Sequence, residues 1–264
     1  MLTLENNWLK VNVKQKGAEI CNLIEKTNNV EHIWQADPLV WNRHAPILFP
    51  IVGQVENNTY TVEGKDYKLP QHGFARDKEF SIESQTTDSI VLVVESDSST
   101  LEIYPFQFRL YVSYTLLNDK VEIEYRVVNI DSKTIYFSIG AHPGFVCPFG
   151  ENESFGDYIL EFEKDESADR LLFEAGLLNG KMVDSYLNGT NTIQLSYDVF
   201  KDDAIILKNL KSDYVDLENT KTGKKLRFFF RGFPLLAFWT KPGMNAPFLC
   251  IEPWYGVADT KGQN

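Results

Sequence analysis

Hydrophobic and polar residues alternate along much of this chain, and the alternation predicts β-strands. Over residues 106–116 the apolar side chains hold the even positions, and after Asn118 and Asp119 they move to the odd positions of residues 121–127. Two alternating runs joined by a short Asn-Asp turn predict a β-hairpin. The same pattern predicts strands at Leu9–Val13, on both sides of the Glu63-Gly64 turn, and at residues 90–94.

Later apolar runs also predict strands, at residues 134–138, 158–162, 205–207, 226–230 and 248–251. Helical signals are weak, and only residues 171–178 and 197–200 favour a turn or a short helix. Many short strands separated by turns are typical of an antiparallel sandwich or barrel. Because no linker-like segment or repeat divides the chain, we expect one all-β domain over residues 1–264.

The composition agrees with a globular protein and narrows its function. The 264 residues are 43% hydrophobic and 24% charged, a range that excludes a largely disordered chain. The formal net charge of −11 argues against nucleic-acid binding, which relies on clustered Lys and Arg. No run approaches the ~18 apolar residues of a membrane span, and the start of the chain lacks the pattern of a secretion signal.

Three cysteines, Cys21, Cys147 and Cys250, form no CxxC pair. Their odd number and wide spacing argue against a disulfide framework or structural zinc, and favour a reducing compartment. We therefore expect a cytoplasmic protein, a monomer or homodimer, that binds a small molecule in a cleft and has no nucleic-acid or membrane partner.

Two of the four histidines lie in segments that break the strand pattern. His72 lies between Pro70 and Gly73, and His142 directly precedes a Pro-Gly pair. Turn-rich segments at strand ends often display catalytic side chains. The competing interpretation for each residue is a buried histidine that hydrogen-bonds a loop carbonyl.

A carboxylate has a comparable setting, because Glu252 follows the apolar run at residues 248–251 and precedes Pro253 and Trp254. A carboxylate that leaves a buried strand beside aromatic residues is partly desolvated, which raises its pKa and suits it to general-base catalysis near neutral pH. An ion pair at the sheet rim explains the position equally well. Together with His72 and His142, Glu252 could also form a two-histidine, one-carboxylate metal site. No ligand spacing in the sequence supports such a site, and we expect no metal.

Two arginines lie near these candidates. Arg43 precedes the Pro-bounded apolar segment 45–50, and Arg76 lies four residues after His72. A guanidinium can hold a sugar hydroxyl or a phosphate, although Asp77 offers Arg76 an ordinary ion-pair partner. The sequence has no phosphate-binding loop, no dinucleotide GxGxxG motif and no GxSxG nucleophile motif. The residues alone therefore predict an all-β protein with acid–base candidates and no assigned substrate.

Five segments, taken in order, resemble the aldose 1-epimerase (galactose mutarotase-like) family, particularly its shorter LacX-like and hexose-6-phosphate-epimerase-like relatives. They are Arg43 with Pro46-Ile47-Leu48-Phe49-Pro50, His72-Gly73-Phe74-Ala75-Arg76, His142-Pro143-Gly144-Phe145, residues 200–204 and Ile251-Glu252-Pro253. The resemblance spans nearly the whole chain. It implies a β-supersandwich of mostly antiparallel strands with few short helices. It also implies an enzyme that interconverts the α and β anomers of an aldose with neither a metal nor an organic cofactor.

The resemblance further implies a role for each matching residue. Glu252 is expected to be the general base and His142 the general acid. His72 is expected to hydrogen-bond the sugar, and Arg43 and Asp203 are expected to bind the substrate.

Two details of the resemblance bear on the substrate. Asp202 is an alternative to Asp203, because the two residues are adjacent. Larger family members commonly continue the His-Pro motif with an aromatic residue and then Phe-Asn-Leu, whereas this chain has Gly144 and Phe145. The difference separates this chain from the typical galactose mutarotases.

Two other functions fit the same residues. One is a hexose-6-phosphate 1-epimerase in which Arg43 and Arg76 hold the phosphate against the negative charge of the whole protein. The other is a non-catalytic carbohydrate-binding domain. In it, aromatic side chains would stack on sugar rings; the candidates are Trp34, Trp41, Trp239 and Trp254. In either enzyme, Phe74, Phe145 and Trp254 are expected to form walls of the sugar cleft because they adjoin the catalytic candidates.

Overall fold

The computed structural model describes residues 1–262, and β-strands form most of its regular structure. The strands of the first half, in chain order, are β1 (Leu2–Glu5), β2 (Leu9–Val13), β3 (Ile20–Glu25), β4 (Val30–Glu31), β5 (Ile47–Leu48), β6 (Thr59–Val62), β7 (Lys65–Lys68), β8 (Ser81–Gln85), β9 (Ser89–Glu95), β10 (Phe108–Leu117) and β11 (Lys120–Asn129). Those of the second half are β12 (Ile139–Ala141), β13 (Gly144–Val146), β14 (Tyr158–Glu174), β15 (Leu177–Gln194), β16 (Ile205–Lys208), β17 (Tyr214–Asn219), β18 (Lys225–Phe229), β19 (Leu235–Trp239) and β20 (Phe248–Tyr255).

Helical structure in this part of the chain is limited to single turns. One α-helical turn, α1 (Ser98–Leu101), begins at Asp97, whose side chain accepts a hydrogen bond from the backbone N–H of Thr100. The 3₁₀ turns are Glu56–Asn58, Ala75–Asp77, Phe155–Asp157 and Tyr197–Phe200. No helix of the described residues is long and apolar enough to cross a membrane.

The strands form antiparallel sheets. Two four-stranded sheets have the orders β1-β2-β3-β4 and β11-β10-β9-β8, and β6 pairs with β7. The largest sheet follows the path β18-β17-β14-β16-β19-β20-β12-β5, with β15 paired to β14 and β13 paired to β20. This architecture confirms the expected all-β fold with few short helices.

The alternation pattern predicts the main hairpin correctly. β10 and β11 pair from Phe108↔Asn129 to Leu117↔Lys120, and Asn118 closes the turn with a φ of 56°. Buried side chains occupy every second position of β10, as expected for a strand with one face on the core. The hairpin of β6 and β7 turns at Glu63 and Gly64, also as predicted.

One predicted element is wrong, and another is correct only as a turn. Residues 171–178 form the tip of the β14–β15 hairpin, where Ala175 and Gly176 make a turn with positive φ. The alternative of a short helix does not form, because the flanking residues pair as strands. Residues 134–138 form no strand: the chain crosses between sheets with Tyr136 73% exposed, and Ser138 donates its backbone N–H to Pro50. The predicted turn at residues 197–200 is confirmed as a 3₁₀ turn.

One hydrophobic core contacts all the larger sheets. Its buried side chains run from Leu4 in β1 through Leu110 in β10 to Phe238 and Ile251 in the largest sheet. Burying each such side chain contributes about 1.5–3 kcal/mol. This packing fixes the strands and turns that carry the polar groups described below.

Candidate functional site

A cavity of about 650 Å³ opens at the largest sheet and collects most of the candidate residues. Its volume lies within the range of small-molecule sites. Of the residues predicted from the sequence, the cavity is lined by His72, Arg76, His142, Asp203 and Glu252. The structure therefore brings together groups from four distant parts of the chain.

Glu252 lies inside β20, between β19 and β12, and is 1% exposed. The sequence predicts that the strand ends before Glu252, but it continues to Tyr255 and is buried through Trp254. The indole Nε1 of Trp254 donates a hydrogen bond to Oε2 of Glu252 at 3.2 Å. Burial, aided by the nearby charge of Asp203, raises the pKa of Glu252 well above 4.5, because both disfavour the carboxylate.

His142 lies in the turn between β12 and β13, with its Nε2 3.3 Å from Oε1 of Glu252. Its backbone N–H donates to Pro46, so the predicted Pro-bounded segment holds this turn in place. Its ring packs against Trp41 at 5.0 Å and Trp239 at 5.6 Å between centroids. Burial lowers the pKa of His142 to about 3, so the free imidazole is neutral at pH 7.

His72 faces His142, with ring centroids 5.8 Å apart and planes at 90°. The backbone of His72 has an unusual φ of 65°. Two hydrogen bonds with the backbone of Gly53 stabilise this conformation. The His72 N–H donates to the Gly53 carbonyl at 2.7 Å, and the Gly53 N–H donates to Nδ1 of His72 at 3.1 Å. Because Nδ1 accepts, the proton of the neutral ring resides on Nε2, which is then a donor. Burial lowers the pKa of His72 well below 6.5 and keeps the ring neutral.

The glycine after His72 is required by a close backbone approach. A Cβ on Gly73 would lie 2.2 Å from the carbonyl oxygen of Phe49, and the φ of Gly73 is 68°. The same oxygen accepts the backbone N–H groups of Phe74 and Ala75. The His-Gly motif thus allows the loop that carries His72 to pack closely against the backbone of Phe49, the residue that follows β5.

Asp202 and Asp203 both lie at the cavity, and Asp203 is the less exposed of the two. Asp203 has a φ of 83°, and its Oδ1 accepts the backbone N–H of Ala204. Behind the loop, the buried guanidinium of Arg170 donates to the carbonyls of Val199, Asp203 and Ala204 at 3.2–3.3 Å. No sequence pattern singles out Arg170, which has the setting of an ordinary strand residue.

The two predicted arginines are placed differently. Arg76 lines the cavity, donates to the Gln71 carbonyl at 2.6 Å and has its Nε 3.8 Å from Asp77. Arg43 does not line it and instead pairs with Asp77 at 3.0 Å. Both positive charges nevertheless lie close enough to lower the pKa of His142.

The aromatic walls differ from those expected. Trp254 lines the cavity as predicted, together with Trp41, Trp239 and Phe173, whereas Phe74 and Phe145 are buried in the main core. Trp34 is also buried, beside Phe248. Closeness in sequence to a catalytic candidate does not determine where a side chain points. Phe74 follows the left-handed backbone of His72 and Gly73, and Phe145 lies in β13 beyond the His142 turn.

The sequence patterns do not predict three polar groups at the site. Lys201 and Lys241 are exposed at the cavity rim. The thiol of Cys250 lies within 4.8 Å of ligand atoms of both His142 and Glu252. The position of Cys250 two residues before Glu252 is a usable signal, since alternate residues of a strand share a face. The residues here whose potential ligand atoms lie close enough to share a metal ion are therefore His142, Cys250 and Glu252, and His72 is not among them.

A second cavity of about 710 Å³ lies between the β6–β7 hairpin and the crossing segment 133–138. Glu63 and Lys133 are charged groups of its lining, 3.7 Å apart. Its lining contains no histidine. The first cavity is therefore the better candidate for acid–base chemistry.

Comparison with known proteins identifies the family of the chain. The family model "Aldose 1-epimerase" matches residues 1–262. The "Protein LacX, chromosomal" of Lactococcus lactis subsp. lactis is 37% identical over 265 residues, which cover 97% of this chain and 88% of that protein.

Solved structures give the same relationship. A galactose mutarotase related enzyme from Lactobacillus acidophilus has a TM-score of 0.95 at 35% identity, covering 100% of this chain and 88% of its own. A galactose mutarotase-like protein from Lactobacillus casei ATCC 334 has a TM-score of 0.94 at 32% identity, covering 100% and 90%. By sequence and by fold, the chain belongs to the aldose 1-epimerase family.

Proposed function

We propose that this protein is an aldose 1-epimerase that interconverts the α and β anomers of a sugar by acid–base catalysis. The observation that carries the proposal is the distance of 3.3 Å between Nε2 of His142 and Oε1 of Glu252 at the cavity. One potential base and one potential acid therefore lie within reach of adjacent oxygens of a single sugar ring.

In the proposed reaction, Glu252 takes the proton of the C1 hydroxyl while His142 gives a proton to the ring oxygen O5. The C1–O5 bond breaks and C1 becomes a free aldehyde. After rotation about C1–C2, O5 attacks the other face of the aldehyde, and both proton transfers reverse. Glu252 ends as the carboxylate and His142 as the imidazolium with which they began, so no co-reactant is consumed.

This cycle requires the pair to hold one proton. Burial favours the arrangement without net charges, in which Glu252 carries the proton and His142 is neutral. Sugar hydroxyls that donate to the carboxylate would favour the ionised arrangement, in which His142 carries the proton instead. Substrate binding is thus expected to move the proton to the residue that must act as the acid.

The remaining residues suit substrate binding. Nε2 of His72 is free to donate to a sugar oxygen, since Nδ1 is occupied by Gly53. Asp203 can accept from a hydroxyl, and Trp41 or Trp239 can pack on an apolar face of the ring. Arg43 acts indirectly in this proposal, through Asp77 and its electrostatic field.

Substitution of Glu252 tests the proposal. Glu252→Gln keeps the shape of the side chain but removes the base, so kcat is expected to fall by at least ~100-fold. The measurement is anomer exchange followed by NMR across free and phosphorylated aldoses. Glu95→Gln, an exposed carboxylate paired with Arg109, is the matched control and is expected to keep full activity.

The outcomes separate the competing functions. Near-wild-type exchange by folded Glu252→Gln would rule out the proposed base. Saturable sugar binding by the wild-type protein without faster exchange would instead identify a non-catalytic carbohydrate-binding domain.

A phosphosugar substrate is the second candidate, favoured by the cations at the cavity. Arg76, Lys201 and Lys241 line it, and so do Asp202 and Asp203. Charge-assisted hydrogen bonds contribute about 1.5–3 kcal/mol each. If the substrate is glucose 6-phosphate, Lys201→Ala and Lys241→Ala are each expected to lower its kcat/KM by roughly 10-fold or more, without affecting glucose.

The control for the rim lysines is Lys26→Ala, whose ammonium pairs with Glu5 in the distant β1–β4 sheet. Equal rates for glucose and glucose 6-phosphate in the wild-type protein would reject the phosphosugar candidate and leave the parent proposal intact.

A further inference from the structure

Potential metal-ligand atoms of His142, Cys250 and Glu252 lie close together. Of these three residues, only Cys250 has no part in the proposed reaction. It lies on β20 two residues before Glu252, so both side chains project from the same face of the strand. Opposite Cys250 on β13 is Gly144, which brings the preceding His142 turn against β20. A further hydrogen bond, from the Ile251 N–H to the Pro143 carbonyl at 3.3 Å, holds the turn there.

We infer that His142, Cys250 and Glu252 form a binding site for a soft divalent cation such as Zn²⁺. One ligand atom from each residue lies within 4.8 Å of the other two, and Nε2 of His142 is 3.3 Å from Oε1 of Glu252. Zinc bonds of about 2.0–2.3 Å in a tetrahedral site place ligand atoms roughly 3.3–3.8 Å apart. The nitrogen–oxygen distance already fits, so only the sulfur has to move closer. Closing 4.8 Å to the roughly 3.5 Å of a sulfur–nitrogen or sulfur–oxygen edge takes a shift of at most about 1.3 Å.

The ligand set is selective for thiophilic metals. A thiolate, an imidazole and a carboxylate suit Zn²⁺ or Co²⁺, whereas Mg²⁺ prefers oxygen ligands. Two ligand charges, of the thiolate and the carboxylate, balance the charge of the cation. Binding therefore releases two protons to solvent, one from the thiol and the one that the Glu252–His142 pair holds. The cation can enter through the cavity, since His142 and Glu252 line it, and the fourth position then faces the sugar site.

The consequence is inhibition of the enzyme. The cation occupies Nε2 of His142 and Oε1 of Glu252, the two atoms that transfer protons in the proposed reaction. Inhibition therefore rests on the proposed function, but cation binding does not. The two are measured separately below.

Binding is tested with Co²⁺ as a spectroscopic probe of zinc sites. Titration of the wild-type protein is expected to produce a sulfur-to-cobalt charge-transfer band in the near ultraviolet. The band should be absent from Cys250→Ala and Cys250→Val and retained by Cys147→Ala, another buried free thiol. Absence of the band from the wild-type protein, or its persistence in folded Cys250→Ala, would overturn the site, whether or not the protein is an epimerase.

Inhibition is tested with Zn²⁺, with Mg²⁺ as the control cation. Zn²⁺ is expected to abolish anomer exchange, and EDTA to restore it. Loss of even an outer partner of a metal site costs roughly 10–100-fold in affinity. The Zn²⁺ concentration for half-inhibition, relative to the metal-free activity of each variant, should therefore rise at least ~10-fold in Cys250→Ala and stay unchanged in Cys147→Ala. Equal sensitivity of wild type and Cys250→Ala would refute the inference.

Discussion

Burial of single residues determines where protons reside in this site. The pKa of Glu252 is raised and that of His142 is lowered for the same reason: burial removes each side chain from water and disfavours its charged form. Two groups this close titrate as a pair, with two macroscopic pKa values. The form that holds one proton is the form that the proposed reaction needs.

The pH dependence of kcat/KM follows from these shifts. The pair gains a second proton only near the lowered pKa of His142, about 3, and loses its last proton at the raised pKa of Glu252. We therefore expect kcat/KM to stay level from neutral pH down to at least about pH 5, and to fall on the alkaline side. Exchange rates between pH 5 and 9, with circular dichroism to check folding, measure this. An acid limb centred near 6.5 would contradict it, because that is the value of an unperturbed histidine.

Single residues also show how far the sequence predicts the site. His72, His142 and Glu252 are recognisable because each disturbs a strand pattern beside Pro or Gly. Lys241 cannot be recognised in this way, because its position at the cavity rim depends on how the chain turns after β19. Composition and local spacing carry no information about such a turn.

At the scale of elements, the acidic loop before β16 depends on a buried arginine of β14. Arg170 is 8% exposed and pairs in register with Leu207 of β16. Among residues 1–262 no carboxylate lies within ion-pair distance of it; its guanidinium binds backbone carbonyls of the loop that carries Asp203. We therefore propose that Arg170 positions Asp203, the residue proposed above to bind the substrate.

Removal of this guanidinium should raise KM more than it lowers kcat. Arg170→Met leaves buried carbonyls without donors, which costs about 1–3 kcal/mol of unfolding free energy, and frees Asp203 to move. The readouts are steady-state kinetics and urea unfolding. Arg170→Lys is expected to recover part of the KM effect, since it keeps a donor.

Arg109→Met is the matched control for Arg170, because Arg109 is exposed on β10 and pairs with Glu95. It should leave KM unchanged. An equal loss of kcat and kcat/KM in Arg170→Met, without a change in KM, would exclude the positioning role.

Strand elements are predicted well where one face is buried and poorly where the chain crosses between sheets. β10 and β11 follow the alternation, because each buries every second residue or borders a strand that does. Residues 134–138 are rich in β-forming side chains, yet Tyr136 is exposed and the segment has no ladder partner. Strand propensity describes a fit to a half-buried surface, which this segment does not have.

At the scale of the whole molecule, the sheets share one core. Leu110, in the four-stranded sheet of β8 to β11, belongs to the same buried cluster as Ile251 in the largest sheet. A shared core implies that the sheets unfold together. We propose on this basis that the chain is a single cooperative domain.

A core substitution tests this cooperativity. Leu110→Ala is expected to lower the unfolding free energy by about 2–5 kcal/mol. The tryptophans at the site, Trp239 and Trp254, lie in a different sheet. If unfolding is cooperative, fluorescence and far-ultraviolet circular dichroism should shift to the same lower urea midpoint. A fluorescence transition that stays at the wild-type midpoint would indicate separate domains.

The position of β20 also has a consequence for synthesis of the protein. β20 lies between β19 and β12 and also pairs with β13. β12 and β13 are translated about a hundred residues before β20. At ~5–20 residues per second, those strands wait roughly 5–20 s on the ribosome for their partner. We therefore expect the nascent chain to present an unpaired strand edge around Gly140 and Phe145 during that interval. A chaperone that shields this edge should raise the yield of folded protein and leave the stability of the folded protein unchanged.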